Sequence, residues 1–137
     1  MSSKFESSVR EINAPQQTVY NALSNLENLE KVRDRIPADK VKDFSFDHDS
    51  VSISVPPVGS ISMKIVDRDE PKCIKFETTN SPVPFNFWIQ LLPVTAATCK
   101  MRLTIKAELN PFIKQMVKKP LEEGIEKIAD ALQMIQY

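Results

Sequence analysis

Glycine is nearly missing from this chain, which has only Gly59 and Gly124 in 137 residues. Phosphate-cradling loops need several glycines to let the backbone approach the anion, so nucleotide binding of that kind is excluded. Cysteine is equally scarce. Cys73 and Cys99 stand apart, with no CxxC or Cys/His cluster, and read as small buried hydrophobes rather than a disulfide or metal site. The single histidine, His48, sits in the charged turn Asp47-His48-Asp49-Ser50, with no nucleophile or second metal donor beside it. Asp47 and Asp49 lack the further oxygen ligands and the glycine of a calcium loop, and Asp67, Asp69 and Glu70 are relieved by Arg68 and Lys72. No cofactor, metal or catalytic constellation is implied. Excess charge is absent too. The 18 basic and 18 acidic residues cancel, leaving no broad field to draw in nucleic acid or an anionic membrane. No apolar run approaches the roughly 18 residues of a membrane span, and Met1 to Arg10 lacks the hydrophobic stretch of a secretory leader. A cytoplasmic protein without membrane insertion is expected.

What is present is hydrophobic patterning. At 42% hydrophobic, a chain of this length buries roughly two-thirds of its unfolded surface, enough for one domain over residues 1–137. Lys4 to Ile12 alternates, with Phe5, Ser7 and Val9 on one parity and Lys4, Glu6, Ser8 and Arg10 on the other, and predicts the first strand. Pro15 and the pair Val19 and Leu23 predict a short helix over 15–23. The capping-box spacing of Ser24 and Glu27 starts a second, with Leu26, Leu29, Val32 and Ile36 on its apolar face and Pro37 at its end.

From Val41 to Leu109 the period is two. The inward parity holds Phe44 and Phe46; Val51, Ile53 and Val55; Ile61, Met63 and Ile65; Ile74 and Phe76; Phe85, Phe87, Ile89 and Leu91; and Cys99, Met101, Leu103, Ile105 and Ala107. Lys64, Lys75, Glu77, Lys100, Arg102, Lys106 and Glu108 fall on the other side, so this is an antiparallel meander with one wet face. Trp88 and Leu92 share the wet parity; either a bulge turns the indole inward or it is on the surface, where it suits self-association as a homodimer. Asn110 and Pro111 then open a long amphipathic helix with Val117, Leu121, Ile125, Ile128, Leu132 and Ile135 on its buried face. Pro120 predicts a kink or a fresh helical start near Lys119.

In a meander, alternate connections share an end. The turns at 47–50, 67–72 and 93–97 form one group, the first two of them charged; 56–59 (PPVG), 81–84 (SPVP) and 110–113 (NPFI) form the other, rich in proline and apolar side chains. A greasy rim where the long helix begins suits the mouth of an apolar pocket. Gly124 gives up roughly 1 kcal/mol of helix propensity, which close packing or room for a ligand would explain.

The element order, and the phrase Ile12-Asn13-Ala14-Pro15-Gln16-Gln17-Thr18-Val19-Tyr20-Asn21-Ala22-Leu23, resemble the START-like superfamily, also called SRPBCC or polyketide cyclase/dehydrase-like. The resemblance implies an α+β helix-grip fold: a seven-stranded antiparallel sheet wrapped around the long C-terminal helix, with two short helices between strands one and two. It also implies a cavity between sheet and helix that in many relatives takes lipids, sterols, polyketides or plant hormones. None of the enzymatic members' catalytic residues is matched, and Glu11, Asp43 or Glu77 would reach the interior only through a register shift. The expected function is binding of a hydrophobic small molecule by a non-catalytic carrier or sensor. The expected lining is Val55, Phe76, Phe85, Phe87, Met101, Leu103, Met116, Val117, Leu121 and Ile125, with the 56–59 and 81–84 loops and the segment before Pro120 as gate. A polyketide cyclase/dehydratase-like enzyme and a protein-interaction module whose cavity is filled by phenylalanines are the alternatives.

Overall fold

The computed structural model describes residues 2–24, 42–46, 50–55, 59–81, 84–134 and 137; the side chains at 2, 42–46, 53–55, 59 and 131 fall outside that description. Strands β1 (Ser2–Glu6) and β2 (Arg10–Ile12) lead to helix α1 (Gln16–Ser24). The meander follows as β3 (Lys42–Phe46), β4 (Ser50–Val55), β5 (Gly59–Asp69), β6 (Cys73–Asn80), β7 (Phe85–Pro93) and β8 (Cys99–Glu108), and helix α2 (Pro111–Met134) ends it. The sheet is antiparallel in the order β1-β8-β7-β6-β5-β4-β3, with β2 also on β8. The first two strands are thus pieces of one edge strand, and the ladder has seven positions.

The break between those pieces is a bulge. Glu6 pairs with Thr104 and Arg10 with Met101, so Ser7, Ser8 and Val9 lie opposite only Leu103 and Arg102. Ser7 anchors it: its N–H donates to the Leu103 carbonyl (2.9 Å), and its hydroxyl accepts from the Leu103 N–H (2.9 Å). One extra residue reverses the parity beyond it. Ser3 and Phe5 face inward from β1 and Ser7 from the bulge, but Ile12 does so from β2, and Val9, expected inside, is exposed. Arg10, expected on the wet face, now shares the inner side with its partner Met101.

Every inward candidate of β4 to β8 whose side chain is described is buried, from Val51 through Ala107. The two faces of the sheet differ as the alternation requires: Lys64, Glu77, Lys100, Arg102, Lys106 and Glu108 are exposed. Trp88 is half-buried on that outer face, with the Lys75 ammonium 5.5 Å from its ring centroid.

Helix α1 starts one residue later than expected and buries Val19, Tyr20 and Leu23. It seals the end carrying the 67–72 and 93–97 turns. Gln16 Nε2 donates to the Leu91 carbonyl (3.1 Å), Gln17 Nε2 to Glu70 (2.8 Å), and the Arg68 guanidinium to the Ser24 carbonyl (3.0 and 3.1 Å). The expected second short helix lies outside the described residues, as does His48.

Asn110 caps α2 as its position predicts, its side-chain oxygen accepting from the Ile113 N–H at 2.9 Å. The helix runs through Pro120 as one element rather than starting afresh at Lys119. It lies against β1, β2 and β8, burying Val117, Leu121, Ile125, Ala129 and Leu132.

Candidate functional site

Among the described residues, the inner face of the sheet and the buried stripe of α2 face each other. Between them is a cavity of about 20 Å³, walled by Ile61, Met63, Phe85, Phe87 and Ile105 from the strands and by Leu121, Gly124, Ile125 and Ile128 from the helix. The strand residues converge because alternate positions of neighbouring strands stack on one face; the helical ones lie three or four apart on one stripe. By the same measure a single water needs about 10–15 Å³, and a dry cavity that takes benzene is about 150 Å³. The space therefore holds one water-sized body, and a ring-sized guest needs the walls to part. Phe76 packs edge-on to Phe87, with centroids 5.5 Å apart and planes at 68°, which fills the region beside it.

Of the residues expected to line a ligand, Phe85, Phe87, Leu121 and Ile125 stand on this wall. Phe76, Met101, Leu103 and Val117 are buried in the same core without bordering the cavity. Val55 ends β4, and its side chain is not among those described. Met116 is elsewhere. It is 72% exposed, because one residue along a helix turns by about 100° and Val117 takes the inward direction. Ile61, Met63, Ile105 and Ile128 were legible as inward positions but not as cavity wall, since parity tells which face a residue is on and not which neighbours leave a gap. Gly124 does border the gap, and its missing side chain is part of it.

Among the described residues, the walls carry no ionisable group. Glu11 and Glu77 are exposed, and Asp43 is outside the described side chains. The shift at 7–9 turns Arg10 inward rather than an acid, and a further shift falls between Lys42 and Ser45, around Asp43. Arg10 is spent on the helix. Its guanidinium donates to the carboxylates of Glu126 and Asp130 and, at 3.1 Å, to the Gln133 side-chain oxygen. Ser8 adds its N–H and its hydroxyl (3.0 Å) to Glu126, and Gln133 Nε2 donates to the Glu11 carbonyl at 3.0 Å. Burial works against both charges, but the mutual bonds outweigh it. They hold the Arg10 guanidinium above its usual range and, with the Ser8 N–H, the Glu126 carboxyl below its own. This cluster clamps the C-terminal half of α2 to the bulge.

Burial pushes the thiols of Cys73 and Cys99 up, away from nucleophilic thiolate, and among the described residues no His/Cys/Asp/Glu group could hold a metal ion. Burial likewise raises the Tyr137 phenol, whose hydroxyl donates to the Leu132 carbonyl at 2.6 Å. No helix among the described residues is long and apolar enough to cross a membrane.

An antiparallel sheet gripping one long helix around an apolar seam is an arrangement shared with a known family. The family described as polyketide cyclase / dehydrase and lipid transport matches residues 3–133. The chain belongs to this family. Membership places it among proteins of ligand-binding or cyclase-type function. Solved structures agree on the fold. Norcoclaurine synthase from Thalictrum flavum, in complex with dopamine and hydroxybenzaldehyde, is 15% identical with a TM-score of 0.74, over 97% of this chain and 85% of that one. The Zhui aromatase/cyclase from a Streptomyces species is 12% identical with a TM-score of 0.70, over 97% and 92%. A START superfamily protein from Mycobacterium smegmatis is 14% identical with a TM-score of 0.68, over 96% and 94%. No curated protein matches the sequence significantly.

Proposed function

We propose that this family member binds a hydrophobic small molecule between its sheet and α2, as a carrier or sensor that performs no chemistry on it. The observation that carries the reading is the composition of the seam: every described residue bordering the cavity is apolar or glycine. A cyclase or dehydratase needs at least one acid or base directed at its substrate, and none of the described side chains bordering this space supplies one. Burial of apolar ligand surface, at about 25 cal/mol per Å², supplies the affinity. A fold relative is solved with dopamine and hydroxybenzaldehyde, which supports a guest of small aromatic size.

Entry requires α2 at Leu121 to Ile128 to move away from Phe85 and Ile61. Gly124 leaves the space that such a guest enlarges. The 20 Å³ volume favours a second reading, a protein-interaction module whose interior is permanently filled. Native mass spectrometry of the protein from its own host, with organic extraction, separates the two. The carrier reading expects a stoichiometric apolar molecule and a thermal shift when it is added back. Repeated absence of any co-purifying molecule, with no shift from a lipid and polyketide panel, would favour the filled module.

A further inference from the structure

Helix α2 has two unlike halves. The stretch from Leu121 to Met134 carries Glu122, Glu123, Glu126 and Asp130 against one lysine, Lys127. The stretch from Pro111 to Pro120 has no acid and three lysines, Lys114, Lys118 and Lys119. Among them stand Phe112, Ile113 and Met116, exposed by 83%, 39% and 72%. Phe112 and Met116 are one turn apart on the side away from buried Val117 and Leu121, and Lys119 continues the row.

Neither feature serves the fold. Lysines near a helix N-terminus oppose the macrodipole, and α2 has no acid in its first turn and no base in its last. The Lys119 ion pair with Glu123, at 4.0 Å, is exposed on both sides and runs in the less favourable order. A phenyl ring left 83% in water forfeits the gain of burial. Apolar side chains rimmed by lysines on a solvent-facing helix surface complement one kind of partner, anionic at its surface and apolar just beneath.

We infer that the Pro111–Pro120 segment docks on the surface of an anionic lipid bilayer. Phe112, Ile113 and Met116 enter the boundary between headgroups and acyl chains, and Lys118 and Lys119, the exposed lysines of the segment, meet the anionic headgroups. The docking is peripheral, since no described helix can span a membrane. Overall neutrality does not oppose it. Charges act within a Debye length of about 8 Å, so the local pattern decides; Glu122 and Glu123 follow Lys118 and Lys119 within one turn and offset part of their charge, while most of the acid lies further along the helix. The inference stands whether or not the interior holds a ligand.

Co-sedimentation with extruded vesicles of phosphatidylcholine, alone or mixed with phosphatidylserine, tests it. The protein is expected to pellet with the mixed vesicles, less so as salt is added, and to stay in solution with phosphatidylcholine alone. Each lysine at such a surface contributes on the order of fivefold in affinity, so Lys118→Gln with Lys119→Gln weakens binding roughly 25-fold. Phe112→Ser with Met116→Ser abolishes pelleting while circular dichroism and the unfolding temperature stay as in the parent. Leu92→Ser, at an exposed apolar residue on the outer face of the sheet, leaves it unchanged. Three results would overturn the inference: no pelleting with anionic vesicles, which would leave the patch to an acidic protein; equal pelleting with both vesicle types; or undiminished binding by the Phe112/Met116 variant.

Discussion

The two halves of α2 are held to the same sheet by different physics. Beyond Pro120, Ile125 and Ala129 are almost wholly buried, and Glu126, Asp130 and Gln133 are bonded to Ser8, Arg10 and Glu11 across the bulge. Before Pro120, Val117 is the one fully inward side chain, Phe112 and Met116 face water, and the Asn110 cap fixes the start. Apolar contact is non-directional and tolerates sliding or lifting, whereas a multidentate guanidinium–carboxylate cluster does not. The helical wall of the water-sized gap, from Leu121 to Ile128, lies in the fixed half, so a larger guest has to displace the part of α2 that the cluster holds.

The largest effect tests the packed half. Ile125→Ala should cost about 2–5 kcal/mol in denaturant unfolding, against about 1–2 kcal/mol for Val117→Ala, since Ile125 is 1% exposed and Val117 9%. Equal costs would erase the asymmetry. Arg10→Ala should cost about 2 kcal/mol, less than a fully buried pair, because the side chains of Glu126 and Asp130 are 39% and 30% exposed. Hydrogen exchange should then show amides of 125–133 opening as readily as those of 113–119; unchanged protection would refute the clamp. Gly124→Ala should raise stability by up to about 1 kcal/mol, since the cavity accepts a methyl and the helix gains propensity, while lowering uptake of apolar ligands. Destabilisation would mean instead that Gly124 serves close packing.

A smaller effect concerns pH. Desolvation raises the Glu126 carboxyl, but the Ser8 N–H, the Arg10 guanidinium and the Ser8 hydroxyl outweigh it and lower it overall. Its contribution is therefore complete above the ordinary carboxylate range and is lost as pH falls through the lowered folded value. Glu126→Gln should flatten the acid limb of the stability profile. Least of all, Phe112→Ser should change stability by no more than about 0.5 kcal/mol, as expected for a ring 83% exposed.

Several features were legible in the chain. Alternation from Phe85 to Leu91 and from Cys99 to Ala107 predicts a buried face, and those residues are buried. Asn110 and Pro111 predict the start of α2 to the residue. What alternation could not disclose was the bulge at 7–9. A single extra residue leaves local composition unchanged and is visible only against the partner strand, yet it turned Val9 out and Arg10 in. Met116 was misplaced for a related reason: an apolar side chain beside an apolar stripe has two equally regular readings until the helix is docked.

The order of apolar and polar residues decided the fold class, the face each strand buries, the caps and the want of any phosphate, disulfide or metal motif, because these follow from covalent geometry and local periodicity. How much empty space remains between sheet and helix, which arginine clamps the helix, and which methionine meets water were decided only by tertiary structure. Each depends on how surfaces distant in sequence approach one another, over distances smaller than a side chain, and a linear pattern carries no measure of that.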